Sequence, residues 1–218
     1  RRARDMRNGF VIGGDVRAVN LDPELMASAH RQHAGSSSIA RHSELTFDPS
    51  LTWADLAWLR EVSGLPVVVK GVLTAEDARL AVAHGVGAVV VSNHGGRQLD
   101  RAVPTLAALP EVVAAVDGAV PVLVDGGVRD GTDVFAALAL GADAVLLGRP
   151  VVWSLAVDGA AGVAGLFGLL HDELAHTMRL AGRPSLADVD RSAVAMEPDG
   201  TPISPAPPGR VGTVERRR

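Results

Sequence analysis

The sequence predicts an α/β protein made of parallel strand–helix repeats. Short apolar runs alternate with helical patterns, and the runs begin near residues 66, 88, 121 and 142, at roughly the 20- to 35-residue spacing of βα units. The runs are apolar throughout rather than alternating, as strands covered on both faces require. Their polar residues gather at the carboxyl ends, where parallel βα folds place ligands.

Taken in order, residues 51–62 (LTWADLAWLREV) form an amphipathic helix with Thr52 as N-cap and Gly64 as terminator. Residues 66–70 (PVVVK) are the first strand, followed by a helix from Thr74, with Asp77 three positions on in an acidic version of the capping box and Gly85 as the stop. The second strand, 88–92 (AVVVS), leads to a helix over 106–116. The third, 121–125 (PVLVD), leads to a helix over 131–140 that Gly141 closes. The fourth, 142–147 (ADAVLL), precedes a long helix over about 151–178, broken near Gly159 and Gly162. Around this core, 51–196, we expect a long polar surface loop over 1–50 and a disordered tail over 197–218, where five prolines accompany terminal arginines.

Composition excludes several functions. The chain has 218 residues and a net charge of −4, which argues against a surface that neutralises phosphates of a nucleic acid. It has no cysteine, so it has no disulfide, thiolate metal site or cysteine nucleophile, a composition that fits the cytoplasm. No apolar run reaches the ~18 residues of a membrane span, and the opening RRARDMRNGF lacks the apolar core of a signal peptide. Of 21 basic residues only Lys70 is a lysine.

The candidate site residues sit at the four strand ends. In SNHGGRQLD (92–100), His94 and Arg97 flank two glycines, an arrangement suited to an acid substrate: Arg97 would grip the carboxylate and His94 would take a proton from the adjacent carbon or its hydroxyl. The competing reading of His94 is a hydrogen-bonded structural histidine. The other histidines, His30, His33, His42, His84, His171 and His176, read as surface or packing residues. DGGVR (125–129), with Gly148 and Arg149, resembles a phosphate cradle in which glycine N–H groups and two guanidiniums face an anion. A plain tight turn is the alternative for DGG alone. Barrels often bind phosphate after their seventh and eighth strands, which would make the first strand here the fifth. Lys70 is either an ammonium snorkelling at a strand end or the partner of a group that turns negative during reaction, such as a reduced flavin.

These motifs, KGVLTAEDARLAVAHG, VSNHGGRQLD, DGGVRDGTDVFAALALGADAVLLGRP and the stretch over 174–192, together resemble the carboxyl-terminal half of the FMN-dependent α-hydroxy acid dehydrogenases and oxidases. The resemblance implies the second half of a (β/α)8 TIM barrel, strands five to eight with their helices, with FMN at the carboxyl face. It implies His94 as active-site base, Arg97 and Arg2 on the substrate carboxylate, and Lys70 at flavin N1/O2. Ser92 would touch the flavin, Asp125 the ribityl chain, and Gly126, Gly127, Arg129, Gly148 and Arg149 the phosphate region. The implied reaction is oxidation of a small L-2-hydroxy acid to a 2-oxo acid, in a protein without a membrane span that forms homo-oligomers, tetramers in the family, when full length. Which acid and which electron acceptor these motifs do not specify. The family's first four strands, its substrate tyrosines and the aspartate paired with its catalytic histidine have no counterpart here, so the chain is expected to be inactive alone or to pair with another half. A non-catalytic remnant that binds a phosphate-bearing ligand is the second hypothesis. A relative of inosine monophosphate dehydrogenase is disfavoured by the missing cysteine.

Overall fold

The computed structural model describes residues 47–195. Most of the expected 1–50 loop and all of the expected 197–218 tail lie outside these residues. A boundary between two compact units falls between Asp55 and Leu56.

Four strands, β1 (Val68–Val72), β2 (Ala88–Val91), β3 (Val122–Asp125) and β4 (Ala144–Leu146), form one parallel sheet in the order β1-β2-β3-β4. The helices are α1 (Asp55–Ser63), α2 (Ala75–Ala83), α3 (Thr105–Val116), α4 (Gly131–Ala139) and α5 (Arg149–Leu180). Each strand pairs with the next through a helical crossover, the connection that parallel neighbours require. Both proline-led runs begin their strands after the proline, which lacks the N–H a ladder needs. The Pro121 carbonyl still accepts from Val89 N.

The register explains the layering. Val89 stands beside Val122 and Val91 beside Val124, and all four are buried on the helix-facing side of the sheet. Against them lie Ala78 and Ala81 of α2, Ala108, Leu109, Val112 and Val116 of α3, and Val134, Phe135, Ala137 and Ala139 of α4, also buried. Each large side chain so buried contributes about 1.5–3 kcal/mol.

Strand β1 departs from the expected run. Lys70 pairs with Val90 but Val72 pairs with Val91, so Gly71, at φ 107°, is an extra residue bulged out of the ladder. The bulge resets the alternation of side chains. It lets Val72 bury on the helix side instead of sharing the face of Lys70.

Of the two N-caps expected, Thr74 forms and Thr52 does not. Thr74 accepts from Asp77 N, and Asp130 and Asp133 form a complete capping box at α4. Thr52 does not cap α1: the helix starts at Asp55, and Thr52 donates both its N–H and its hydroxyl to the Asp55 carboxylate. The hydroxyl serves as a donor in a turn that precedes the helix. These two bonds hold Asp55 below the usual aspartate pKa.

Helix α5 breaks at Asp158 and Gly159, where φ reaches −147° and then 54°. By length and composition alone α5 could cross a membrane, which the reading of unbroken apolar runs did not anticipate. The break divides it, however, and its second part is committed to α4. Glu173 accepts from Gly131 N at 2.8 Å, and Leu174 and Met178 pack on a cluster of Phe135, Ala139 and Val189.

The segment after α5 is pinned by that cluster and by Asp190, whose carboxylate accepts from Ser192 Oγ and N at 2.6 and 3.0 Å. These bonds lower its pKa from 3.8, with a smaller contribution from Arg183. A depressed carboxylate steadies the fold while ionised and loses that effect as pH falls through its lowered value. Following the Ser192 amide by NMR during acid titration is expected to give a midpoint below 3.8. A midpoint at or above 3.8 would show that the turn does not hold in solution.

Candidate functional site

Three strand ends meet at Lys70. Its Nζ lies 2.7 Å from Ser92 Oγ and 2.8 Å from Asp125 Oδ2, linking β1 with the residues that end β2 and β3. The register accounts for this. Lys70 pairs with Val90 and Val90 with Leu123, so Ser92 and Asp125, two residues further on, lie side by side on the same sheet face. The ammonium carries three donors, and these contacts use two of them. Its side chain is 41% exposed and that of Asp125 18%, so the pair is partly shielded from water while Lys70 remains reachable.

Ser92 is fully buried and its Oγ also accepts from His94 N at 3.1 Å. It therefore fixes the ammonium and the start of the histidine loop together. The loop runs through three successive left-handed residues, His94 at φ 55°, Gly95 at 64° and Gly96 at 73°. Glycine adopts that conformation freely, whereas for a residue with a Cβ it costs about 1 kcal/mol. Asn93 holds the turn: its Oδ1 accepts from Gly95 N and its Nδ2 donates to Val103 O. Strain of this kind clusters where a side chain must be aimed. The imidazole is aimed at Gly71, where a Cβ would stand 3.1 Å from His94 Nε2. The bulge that re-aims β1 thus also makes room for the histidine.

At the other two loops Gly127 and Gly148 are open and Gly126 is not. Gly126 sits at φ 86° with its carbonyl bonded by buried Thr105 Oγ1 at 2.8 Å, and a Cβ there would come within 2.9 Å of Asn93 Oδ1. Gly127 and Gly148 would meet nothing within 4 Å. Arg149 begins α5, and its Nη2 lies 3.5 Å from where a Gly95 Cβ would be, so the fourth strand end reaches the histidine loop. The Arg129 guanidinium rests over the Trp153 ring at 5.2 Å and donates to its neighbour's carbonyl, Val128 O. Arg97 is exposed at the close of the His94 turn, and among the described residues its guanidinium has no partner. Arg2 lies outside the described residues.

The residues present fit a flavin mononucleotide. Asp125 Oδ1 is buried and finds no hydrogen-bond partner among the described residues. A buried acceptor without a donor is costly, and a polyol hydroxyl would satisfy it. A remaining Lys70 donor, open glycine backbone and two guanidiniums supply the other contacts such a molecule needs. Among the described residues no cluster of His, Asp and Glu suits a metal ion.

Sequence reasoning missed four contributors: Gly71, Asn93 in its capping role, Thr105 and Trp153. Glycine directly after the only lysine, within a strand, was the available signal for the first. The other three act across the sheet and leave no local mark. A groove of about 490 Å³ lined by Asp130, Thr132, Asp172, Glu173, His176, Thr177 and Arg179 lies between the start of α4 and α5. Asp130 and Glu173 there already accept backbone N–H groups of α4, so it is an element of packing.

The family model described as FMN-dependent dehydrogenase matches residues 1–196. The chain is 50% identical over 199 residues to the peroxisomal (S)-2-hydroxy-acid oxidase of Oryza sativa subsp. japonica, covering 91% of this chain and 53% of that protein. It is 50% identical to the L-lactate oxidase of Nostoc sp., covering 88% and 52%, and 52% identical to the 4-hydroxymandelate oxidase of Amycolatopsis orientalis, covering 88% and 53%. Among solved structures, mandelate oxidase with (S)-4-hydroxymandelic acid aligns with a TM-score of 0.75 and 51% identity, over 87% of this chain and 52% of that one. A mandelate oxidase mutant holding a monooxide FMN adduct aligns at 0.64 with 54% identity, over 67% and 46%. The chain spans about half the length of the curated relatives it matches. Its four parallel βα units are part of a TIM barrel.

Proposed function

The chain belongs to the FMN-dependent dehydrogenase family, and on that premise we propose that its strand ends bind FMN and serve the oxidation of an L-2-hydroxy acid to the 2-oxo acid. The observation that carries this reading is the Lys70 ammonium held between Ser92 and Asp125, beside the loop that aims His94 over Gly71.

Bound FMN would supply the two-electron acceptor for the acid's α-carbon. The chain's residues do the rest. Lys70 would keep a donor for the flavin ring edge that gains negative charge, and Asp125 and Ser92 hold that donor in place. Asp125 Oδ1 would accept from a ribityl hydroxyl. Gly126, Gly127, Arg129, Gly148 and Arg149 would receive the phosphate through backbone N–H groups and guanidiniums. Arg97, with Arg2, grips the substrate carboxylate in bidentate fashion, which turns the α-carbon toward His94. His94 then takes the proton that leaves the α-carbon or its hydroxyl.

Titrating the chain with FMN and with riboflavin, followed by flavin fluorescence, tests this reading. FMN is expected to bind at least about tenfold tighter than riboflavin, and Lys70→Met to weaken FMN by about tenfold, the scale of one charge-assisted hydrogen bond. Where the family's first four strands are also present, anaerobic glycolate, L-lactate or L-mandelate is then expected to bleach the bound flavin. Equal affinity for FMN and riboflavin would remove the phosphate assignment. Firm FMN binding with no bleaching by any of the acids would favour the non-catalytic, phosphate-binding reading.

A further inference from the structure

Arg129 is held in three places. Its backbone N donates to Asp133 Oδ2 at 2.7 Å, which ties it to the first turn of α4, and Val128 before it is buried. Its Nη1 donates to Val128 O at 2.9 Å. Its guanidinium carbon lies over the Trp153 ring, 5.2 Å from the ring centre and inside the roughly 6 Å over which a cation and an aromatic face attract. The first contact fixes the backbone, the second one edge of the guanidinium, and the third its face.

The kind of partner decides what the group can still do. A guanidinium carries five N–H donors, and the bond to Val128 uses one. Among the described residues Arg129 makes no ion pair, whereas Lys70 and Arg183 each lie against an aspartate. A carboxylate in the place of Trp153 would cancel the charge and occupy the donor fork. An aromatic face attracts the cation through its quadrupole and leaves the N–H groups at the guanidinium's edge alone. The ring therefore sets the plane of the group while its charge and its outer donors stay available to an anion.

The place of Trp153 follows from α5. Arg149 is the first residue of that helix and Trp153 stands four positions on, so the two share one face, one turn apart. Long helical side chains lean toward the N-terminus, here the end that carries Gly148 and Arg149. Trp153 is 52% exposed, so it is not a core residue. Its stack on Arg129 joins the loop after β3 to the helix after β4.

We propose that Trp153 is a positioning residue for anion binding: its ring holds the Arg129 guanidinium aimed but not neutralised, and so strengthens the grip on the phosphate of FMN. The proposal rests on the phosphate assignment made above.

The test is titration of the chain and a set of variants with FMN and with riboflavin. Arg129→Met is expected to lower the preference for FMN by about tenfold, the loss of a charge-assisted contact. Trp153→Leu is expected to lower it by about two- to fivefold, the scale of an exposed cation–π pair, with riboflavin affinity unchanged. Trp153→Phe is expected to restore the preference to within about twofold of the native chain. Trp153→Glu is expected to lower it further than Trp153→Leu, because the carboxylate would pair with Arg129 and repel the phosphate. Added to Arg129→Met, Trp153→Leu is expected to have no further effect.

An equal loss of FMN and riboflavin affinity in Trp153→Leu would assign the ring to the fold and overturn the proposal. So would a Trp153→Glu chain that matches the native preference, or a second loss on top of Arg129→Met. If Arg129→Met leaves the preference unchanged, the phosphate assignment fails and the proposal with it. A loss in Arg129→Met with none in Trp153→Leu removes the positioning role alone. A measurement on the flavin-free chain stands apart from these: the NMR signal of Arg129 Nε–H, identified by its disappearance in Arg129→Met, is expected upfield of that of an unstacked arginine, moved there by the Trp153 ring current. An unshifted signal would overturn the proposal without reference to any flavin.

Discussion

In flavin-loaded protein that also holds the family's first four strands, His94→Ala is expected to slow oxidation of the 2-hydroxy acid by roughly 10²- to 10⁴-fold, the range a positioned general base supplies. Flavin binding is expected to change little, because the imidazole lies against Gly71 while Lys70, Asp125 and the glycine loops carry the cofactor contacts proposed above. The loss should fall on the rate of flavin bleaching by substrate more than on the substrate concentration needed, since Arg97 still grips the carboxylate. The backbone argues for a purposeful placement. A histidine at φ 55°, held by Ser92 Oγ and by the Asn93 turn, bears a conformational cost that a packing histidine would have no reason to bear. Stopped-flow reduction under anaerobic conditions measures the effect. A decrease smaller than about threefold would assign His94 to structure.

Gly131→Ala is expected to be the most damaging single change to the fold. A Cβ at Gly131 would run into the backbone of Glu173 and Leu174 in α5. Backbone cannot rotate aside as a side chain can, so α4 and α5 would have to separate. Their separation would break the Gly131 N to Glu173 bond and uncover Phe135, Leu174 and Met178. The cost is expected to match removal of a large buried side chain, about 3–5 kcal/mol. That is a large share of the ~5–15 kcal/mol that holds a domain together. Thermal denaturation followed by circular dichroism checks it. Gly127→Ala, where a Cβ meets nothing within 4 Å, is the companion variant: its backbone sits at φ 108°, so it is expected to cost conformational strain but no collision.

Much of this architecture is legible along the chain because its causes are local. The four apolar runs, the Thr74 cap and the break at Gly159 each depend on a few adjacent residues. The site residues were legible for a related reason. Polar side chains that end apolar strands must emerge at one rim of a parallel sheet, so Lys70, Ser92, His94 and Asp125 could be named before their distances were known. The start of α1 was misread because a threonine hydroxyl can donate as well as accept, and Asp55 claimed it as a donor.

By itself, then, the order of residues determined the strand–helix alternation, the rim that carries the candidate site residues and the residue types placed there, all consequences of short-range propensity and hydrophobic period. Only the tertiary structure decided the Gly71 bulge, the grip of Asp125 on Lys70, the seat of Arg129 on Trp153 and the commitment of the second part of α5 to α4. Each of these joins residues distant in the chain, where strand register and helix packing set which groups meet. Register is a property of the whole sheet, so no window of sequence contains it.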